Sequence, residues 1–229
     1  MIKACLFDLD GTLLNTLNSI RYYVNKNIAA EGIEELSETE TKIFVGKGAK
    51  VLIEKVLLSR GFDPSDSNTA NLLTKIHENY VREYDSEPLY LTEPYSGICE
   101  LVQGLVKLGI KLAVISNKPD PTVKQLVTHF FDGAFEIIEG ANDKMPLKPD
   151  ARWPLDICKR LGVEPSEVLY VGDTSTDMKT AANFGAGVAV GVAWGFRDES
   201  ELVANGADVV VSIPCEILEI IKNKNEGKC

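Results

Sequence analysis

The chain predicts an α/β protein, a doubly wound parallel-sheet core interrupted near its start by a small helical domain. Three observations carry this. From Tyr95 onward, apolar strand-like runs alternate with stretches of helical spacing, the rhythm of a parallel sheet covered on both faces. From about Thr16 to Tyr84 the pattern is almost purely helical. Before both comes an apolar run, Ile2, Ala4 and Leu6, that ends in two acids, a glycine and a threonine. The core is therefore expected from residues 1–15 and 85–229, and the helical insert from residues 16–84.

Each element has its own signal. Asn15 or Thr16 suits a helix N-cap, and Leu17, Ile20, Val24 and Ile28 then recur at helical spacing until Gly32. Ser37 with Glu40 has the form of a capping box opening a second helix. Phe44 to Lys50 breaks that pattern, and Val51, Ile53, Val56, Leu57 and Leu58 resume it up to Gly61. Asp63-Pro64-Ser65 reads as a turn, and a long helix is expected from about Ser67 to Tyr84. Asp85 to Pro94, with two prolines, suits a linker. Helices are then expected over Ile98–Leu108, Pro121–Phe131, Ala151–Leu161 and Ser175–Phe184. Strands are expected over Ile110–Ile115, Phe135–Ile138, Val168–Val171 and Gly187–Val192, and Val209–Val211 and Ile217–Ile221 complete the alternation. The polar tail from Lys222 to Lys228 is expected to fray.

The chemistry gathers at strand ends. Were the first strand to continue, Asp8 and Asp10 would point the same way. Two carboxylates so close repel unless a cation neutralises them, and Gly11 lets the chain turn directly afterwards. Ser116 and Asp173 also stand just after expected strands. In doubly wound sheets ligands bind beyond the carboxyl ends of the strands, so Asp8, Ser116 and Asp173 should converge on one edge. Taken singly, each has a plainer reading: turn residues around Asp8, a strand-to-helix cap at Ser116-Asn117, a solvated surface lysine at Lys148, an N-cap at Asp173.

Read as an ordered set, these residues resemble the haloacid dehalogenase-like phosphatases. Asp8, Asp10 and Thr12 match that family's Asp-x-Asp-x-Thr. Ser116 matches its Ser or Thr after a strand, Lys148 before Pro149 its lysine, and Gly172, Asp173 and Asp177 its acidic Gly-Asp-x-x-x-Asp. The resemblance spans about Ile2 to Val211 and is greatest to the phosphoglycolate phosphatase branch. It implies a Rossmann-like core with a helical cap inserted after the first strand.

Carboxylates with a Ser and a Lys suit phosphoryl transfer assisted by a hard cation. Asp8, Asp173 and Asp177 offer oxygen ligands for Mg²⁺. Asp8 is the candidate nucleophile, able to form an aspartyl-phosphate. Asp10 is the candidate acid/base, and the resemblance implies that its backbone carbonyl also binds Mg²⁺. Lys148 would supply positive charge. Thr12, Ser116, Asn117 and Lys148 are the candidate phosphate-binding residues, with the Ser116 hydroxyl and backbone N–H groups near Leu9 and Asn117 as donors, and Thr12 would also support the turn and Asp10. Val45-Gly46-Lys47-Gly48-Ala49 resembles the branch's cap loop, in which Lys47 could reach a substrate carboxylate. Trp194-Gly195-Phe196-Arg197 matches the branch's aromatic-glycine pair, and an ordinary packed loop is the reading preferred for it. One departure stands out: Asn15 occupies a position where the family usually carries Asp.

Composition narrows the classes. Apolar residues make up 45% and charged residues 25% of 229, ordinary for a globular protein. A net charge of -10 argues against nucleic acid or an anionic membrane as partner. No apolar run approaches the roughly 20 residues of a membrane span, and the first acids come too early for a signal peptide; a cytoplasmic protein, monomer or homodimer, is expected. Five scattered cysteines without a Cys-x-x-Cys pair suggest neither a disulfide framework nor a zinc site. His77 and His129 are the only histidines, which leaves little for a His-centred metal site or a catalytic triad. The expected function is a Mg²⁺-dependent phosphomonoester hydrolase acting on a small phosphorylated metabolite. A sugar-phosphate mutase, pyrophosphatase, nucleotidase or phosphonate hydrolase (the last with Lys47 or Lys50 as a Schiff-base lysine) are the enzymatic alternatives, and a phosphate-binding protein the non-enzymatic one.

Overall fold

A computed structural model describes residues 1–63 and 65–227. Pro64 of the expected turn, Lys228 of the tail and Cys229 lie outside the described residues. The chain divides into two compact units, Met1–Asn15 with Pro94–Cys229, and Thr16–Glu93. Residues 85–93, expected to belong with the core, thus cluster with the helices, and α4 runs on into the segment expected as linker.

The first unit opens with β1 (Ala4–Phe7), and after β2 (Leu14–Asn15) the chain enters the second unit. There it forms α1 (Leu17–Ala29), α2 (Glu38–Phe44), α3 (Ala49–Ser59) and α4 (Ser67–Ser86). Helix α1 packs on α2 and α4, and α3 on α2 and α4. Tyr23 is the aromatic hub, edge-on to Tyr22 and Tyr90 and tilted against Tyr84. Thr16 holds the N-cap position of α1 without a capping hydrogen bond from its side chain. At α2 the capping box is complete: Ser37 Oγ accepts the Glu40 N–H at 3.2 Å, and Glu40 accepts the Ser37 N–H at 2.9 Å.

Glu40 also accepts from the Arg60 guanidinium at 2.7 Å. That bond, with those from Ser37, lowers the Glu40 carboxyl from 4.5 to about 2. A depressed carboxylate stabilises the fold above its unfolded value and loses that contribution as pH falls through the folded one. Glu40→Gln should therefore lower the melting temperature at pH 7 and lower it progressively less as pH falls towards 2, as read by circular dichroism. A deficit that stayed constant between those two pH values would contradict the assignment.

β3 (Glu93–Pro94) falls on the boundary, and the first unit continues with α5 (Ile98–Lys107), β4 (Lys111–Pro119), α6 (Asp120–Phe131), β5 (Ile137–Ala141) and α7 (Arg152–Leu161). They are followed by β6 (Val168–Gly172), α8 (Ser175–Phe184), β7 (Val188–Val192), α9 (Glu199–Ala204), β8 (Val209–Val211) and α10 (Cys215–Glu226). Six of the strands form one sheet in the order β5-β4-β1-β6-β7-β8, and every pairing in it is parallel. Alternation puts Ala4, Leu6, Ala113, Ile115 and Tyr170 into one buried cluster with Trp153 and Ile157 of α7 and Met178 and Phe184 of α8. On β1 the intervening Phe7 meets Phe135, which in turn meets Phe131 of α6. Two buried faces account for the near-continuous apolar strands. The sheet carries β1 and β6 side by side at its centre, with Phe7 in register with Val171, so the residues that follow both strands emerge together. No helix among the described residues is long and apolar enough to cross a membrane.

Candidate active site

The ladder of β1 reaches one residue past the strand, since the Asp8 N–H donates to the Val171 carbonyl at 2.9 Å. It does not continue to Asp10. Gly11, at φ +83°, turns the backbone, and the Leu9 carbonyl accepts the N–H groups of Leu13 and Leu14, both at 3.0 Å. The chain leaves the strand in a tight loop, and the two carboxylates that flank Leu9 take different partners.

Asp8 Oδ1 accepts the Leu9 N–H at 2.7 Å and faces the Lys148 ammonium at 2.8 Å. Oδ2 of Asp8 takes no hydrogen bond among the described residues. Lys148 Nζ also donates to Asp177 Oδ1 at 2.8 Å, so one buried ammonium bridges two buried carboxylates. Asp177 Oδ1 accepts the Tyr170 hydroxyl at 3.3 Å as well. Its Oδ2 accepts the N–H and hydroxyl of Thr174 at 3.1 and 2.6 Å, closing a capping box at the start of α8. The cap of α8 is Thr174, and Asp173 stands clear of it. Asp173 Oδ1 accepts the Thr12 hydroxyl at 3.2 Å, and Oδ2 accepts the Phe196 N–H at 2.8 Å.

Three glycines let the acids sit where they do. A Cβ on Gly11 or Gly195 would strike the Asp173 side chain, and one on Gly172 would strike Asp177. The Trp194–Arg197 segment is accordingly part of the site wall rather than only a packed loop. Trp194 Nε1 donates to the Thr12 carbonyl at 3.0 Å, tying this segment to the turn after β1.

Two expected roles change. The Thr12 hydroxyl supports Asp173, not Asp10, and Thr12 is wholly buried, so its side chain holds a carboxylate and presents nothing to a phosphate. The Asn117 side chain is committed to Lys148: Oδ1 accepts the Lys148 N–H at 2.9 Å and Nδ2 donates to its carbonyl at 3.3 Å. Ser116 lies within β4 rather than after it, buried at 2% exposure, where the pairing with β5 slips between Ser116 and Pro119. Lys47 lies in the second unit, exposed between Gly46 and Gly48, which take φ values of +107° and +87°. Sequence reasoning missed Lys118, whose Nζ lies 3.1 and 3.3 Å from the two oxygens of Asp10. Its only signal was its place directly after Ser116-Asn117.

The charge balance points to a cation. One carboxylate oxygen from each of Asp8, Asp173 and Asp177 lies within 4.8 Å of the others. Three buried carboxylates against the one Lys148 ammonium leave two negative charges in excess. Burial pushes Asp8 up to about 7, with Asp177 adding to the rise and Lys148 opposing it. Burial, then Asp177 and Asp8, likewise hold Asp173 well above the ordinary carboxylate range. Burial works against the charge on Lys148, yet Asp177 and Asp8 keep it raised well above its usual value. A hard divalent cation relieves such an excess, and an all-oxygen donor set suits it.

A family model described as haloacid dehalogenase-like hydrolase matches residues 5–191. The chain belongs to the haloacid dehalogenase-like hydrolases. Within that family it is a phosphatase, similar along its length to proteins of the phosphoglycolate phosphatase branch. The phosphoglycolate phosphatase of Aquifex aeolicus is 29% identical over 227 residues, covering 97% of this chain and 98% of the relative. The N-acetylmuramic acid 6-phosphate phosphatase of Pseudomonas aeruginosa is 27% identical, covering 96% and 95%. A crystal structure from Lactobacillus delbrueckii subsp. bulgaricus superposes with a TM-score of 0.87 at 29% identity, covering 96% of this chain and 98% of that one.

Proposed function

We propose that the protein is a Mg²⁺-dependent phosphomonoester hydrolase that acts through an aspartyl-phosphate on a small phosphorylated metabolite, with phosphoglycolate as the first candidate. The observation that carries this reading is the cluster of Asp8, Asp173 and Asp177 at the carboxyl edge of β1 and β6, over-supplied with negative charge. Asp8 and Asp173 would hold the cation, with the Asp10 carbonyl as the family resemblance suggests. Both oxygens of Asp177 already accept hydrogen bonds, which favours a role for it through Lys148 or through water. Mg²⁺ would neutralise charge on the phosphoryl oxygens and offset their repulsion from Asp8.

The protein groups then divide the work. Asp8 attacks phosphorus, the ester P–O bond breaks, and Asp10 gives its proton to the departing oxygen. In the second half, water attacks the phosphoryl group and passes a proton to Asp10. The acyl-phosphate P–O bond breaks and Asp8 is regenerated. Lys148 favours the ionised form of Asp8 and faces the incoming charge. Ser116 and the backbone N–H groups near Leu9 and Asn117 bind the phosphate, and Lys47 is proposed for the carboxylate of the substrate.

Relatives of similar identity act on a two-carbon acid phosphate and on an amino-sugar phosphate, so the substrate is decided by assay. A hydrolysis panel would span phosphoglycolate, sugar phosphates, nucleotides, pyrophosphate and phosphonoacetaldehyde, each with Mg²⁺ and with chelator. The reading expects phosphate release from monoesters, highest kcat/KM for phosphoglycolate, and loss of turnover in chelator that Mg²⁺ restores. Turnover indifferent to chelator would overturn it. Preference for a sugar phosphate would move the substrate and keep the chemistry.

A further inference from the structure

Lys118 is a buried cation that the scheme above does not use. Its side chain is 6% exposed, while that of Asp10 is 19% exposed and open to a reacting group. The two residues are 108 positions apart in sequence, on the β1 turn and at the end of β4. The ammonium stands almost equally distant from both Asp10 oxygens, at 3.1 and 3.3 Å. An ion centred on both oxygens restrains the plane of the carboxylate as well as its position, and that plane decides which lone pair meets a proton. The backbone there is set for the purpose. The Lys118 N–H turns back to Ser116 Oγ at 3.3 Å where the β4–β5 register slips. Ordering a long lysine stem in a buried place costs side-chain entropy, so a contact with the acid/base group is a reasonable return for it.

We infer that Lys118 is a positioning residue for Asp10, holding its carboxylate in the plane from which it exchanges the proton with the leaving oxygen and with water. The inference rests on the acid/base reading of Asp10. Lys118 needs no contact with the substrate, and this separates the idea from a lysine that binds phosphate.

The test compares Lys118→Met, Asp10→Asn and the double variant on an alkyl phosphomonoester and on p-nitrophenyl phosphate, with saturating Mg²⁺. A misplaced proton donor typically costs about 10- to 100-fold in rate. Lys118→Met should lose that much kcat on the alkyl ester with KM unchanged within about twofold. It should lose clearly less on p-nitrophenyl phosphate, whose leaving oxygen needs little protonation. In first-turnover rates on the aryl ester, adding Lys118→Met to Asp10→Asn should cause no further loss. A raised KM with unchanged kcat, equal losses on both esters, or multiplying losses in the double variant would each overturn the inference. If Lys118→Met does not fold, Lys118→Gln carries the same comparisons. Asp10→Asn at wild-type turnover would overturn the acid/base assignment itself, and this inference with it. Asp10→Asn impaired beside a wild-type Lys118→Met would overturn this inference alone.

Discussion

Asp8→Asn should remove turnover while leaving the fold intact. The change is nearly isosteric, keeps an acceptor for the Leu9 N–H, and leaves Lys148 its partner Asp177. What it removes is the charged oxygen that meets phosphorus. Removing a covalent nucleophile lowers kcat by about 10⁴-fold or more, so hydrolysis of an aryl phosphate should fall close to background. Stability should move the other way. Asp8 ordinarily titrates at 3.8 and is pushed up to about 7 by burial and by Asp177. Between those values the folded state binds the extra proton, so ionising Asp8 removes stability as pH rises through that window. In chelator at pH 8 the Asn variant should melt at or above the wild-type temperature. A variant that kept its turnover, or that failed to fold, would contradict the role given to Asp8.

The second large effect belongs to Lys148. Its Nζ lies 2.8 Å from Asp8 and 2.8 Å from Asp177, all three groups buried. Lys148→Met keeps the stem and deletes the only ammonium that touches either acid among the described residues. Breaking a buried pair from one side costs about 3–5 kcal/mol because the stranded charge stays in the interior. For a chain of this size that is a fall of about 6–20 °C in melting temperature, provided that unfolding is cooperative. Turnover should fall by at least about 10²-fold with the loss of charge facing the phosphoryl group. The stability deficit should be largest in chelator and should shrink when Mg²⁺ is added, since a cation would take over part of the neutralisation. Unchanged melting in chelator would show that the three acids do not depend on Lys148.

Much of this arrangement was legible from the chain alone, for physical reasons. Strands β1 and β6 are buried on both faces, and burial on both faces demands a continuous apolar run such as Val168-Leu169-Tyr170-Val171. The capping box at Ser37 and Glu40 is a local device, closed within three residues, and local devices show in sequence. What stayed hidden was either weakly patterned or long-range. Helix α9 is six residues long and buries only Leu202, too little for a periodicity to show. Strand β5 begins and ends later than the sequence suggests, because Phe135 ahead of it is apolar, whereas Glu139 and Gly140 inside it are not strand-like. Among site residues, the Asp-x-Asp pair, Lys148 and Asp173 were visible through their spacing and order. Lys118 was not, because its meaning comes from Asp10. The Phe196 N–H was invisible for a related reason: a backbone donor leaves no mark in the residue type.

The claim on which the rest depends is that Asp8 becomes covalently phosphorylated. It is tested most directly by quenching the enzyme during turnover of phosphoglycolate with Mg²⁺, reducing with borohydride, and mapping the peptides by mass. An acyl-phosphate at residue 8 is reduced to homoserine, so the account predicts homoserine at that position only, absent in chelator and absent without substrate. Homoserine at another acid, or none at any acid in an enzyme that is turning over, would contradict it.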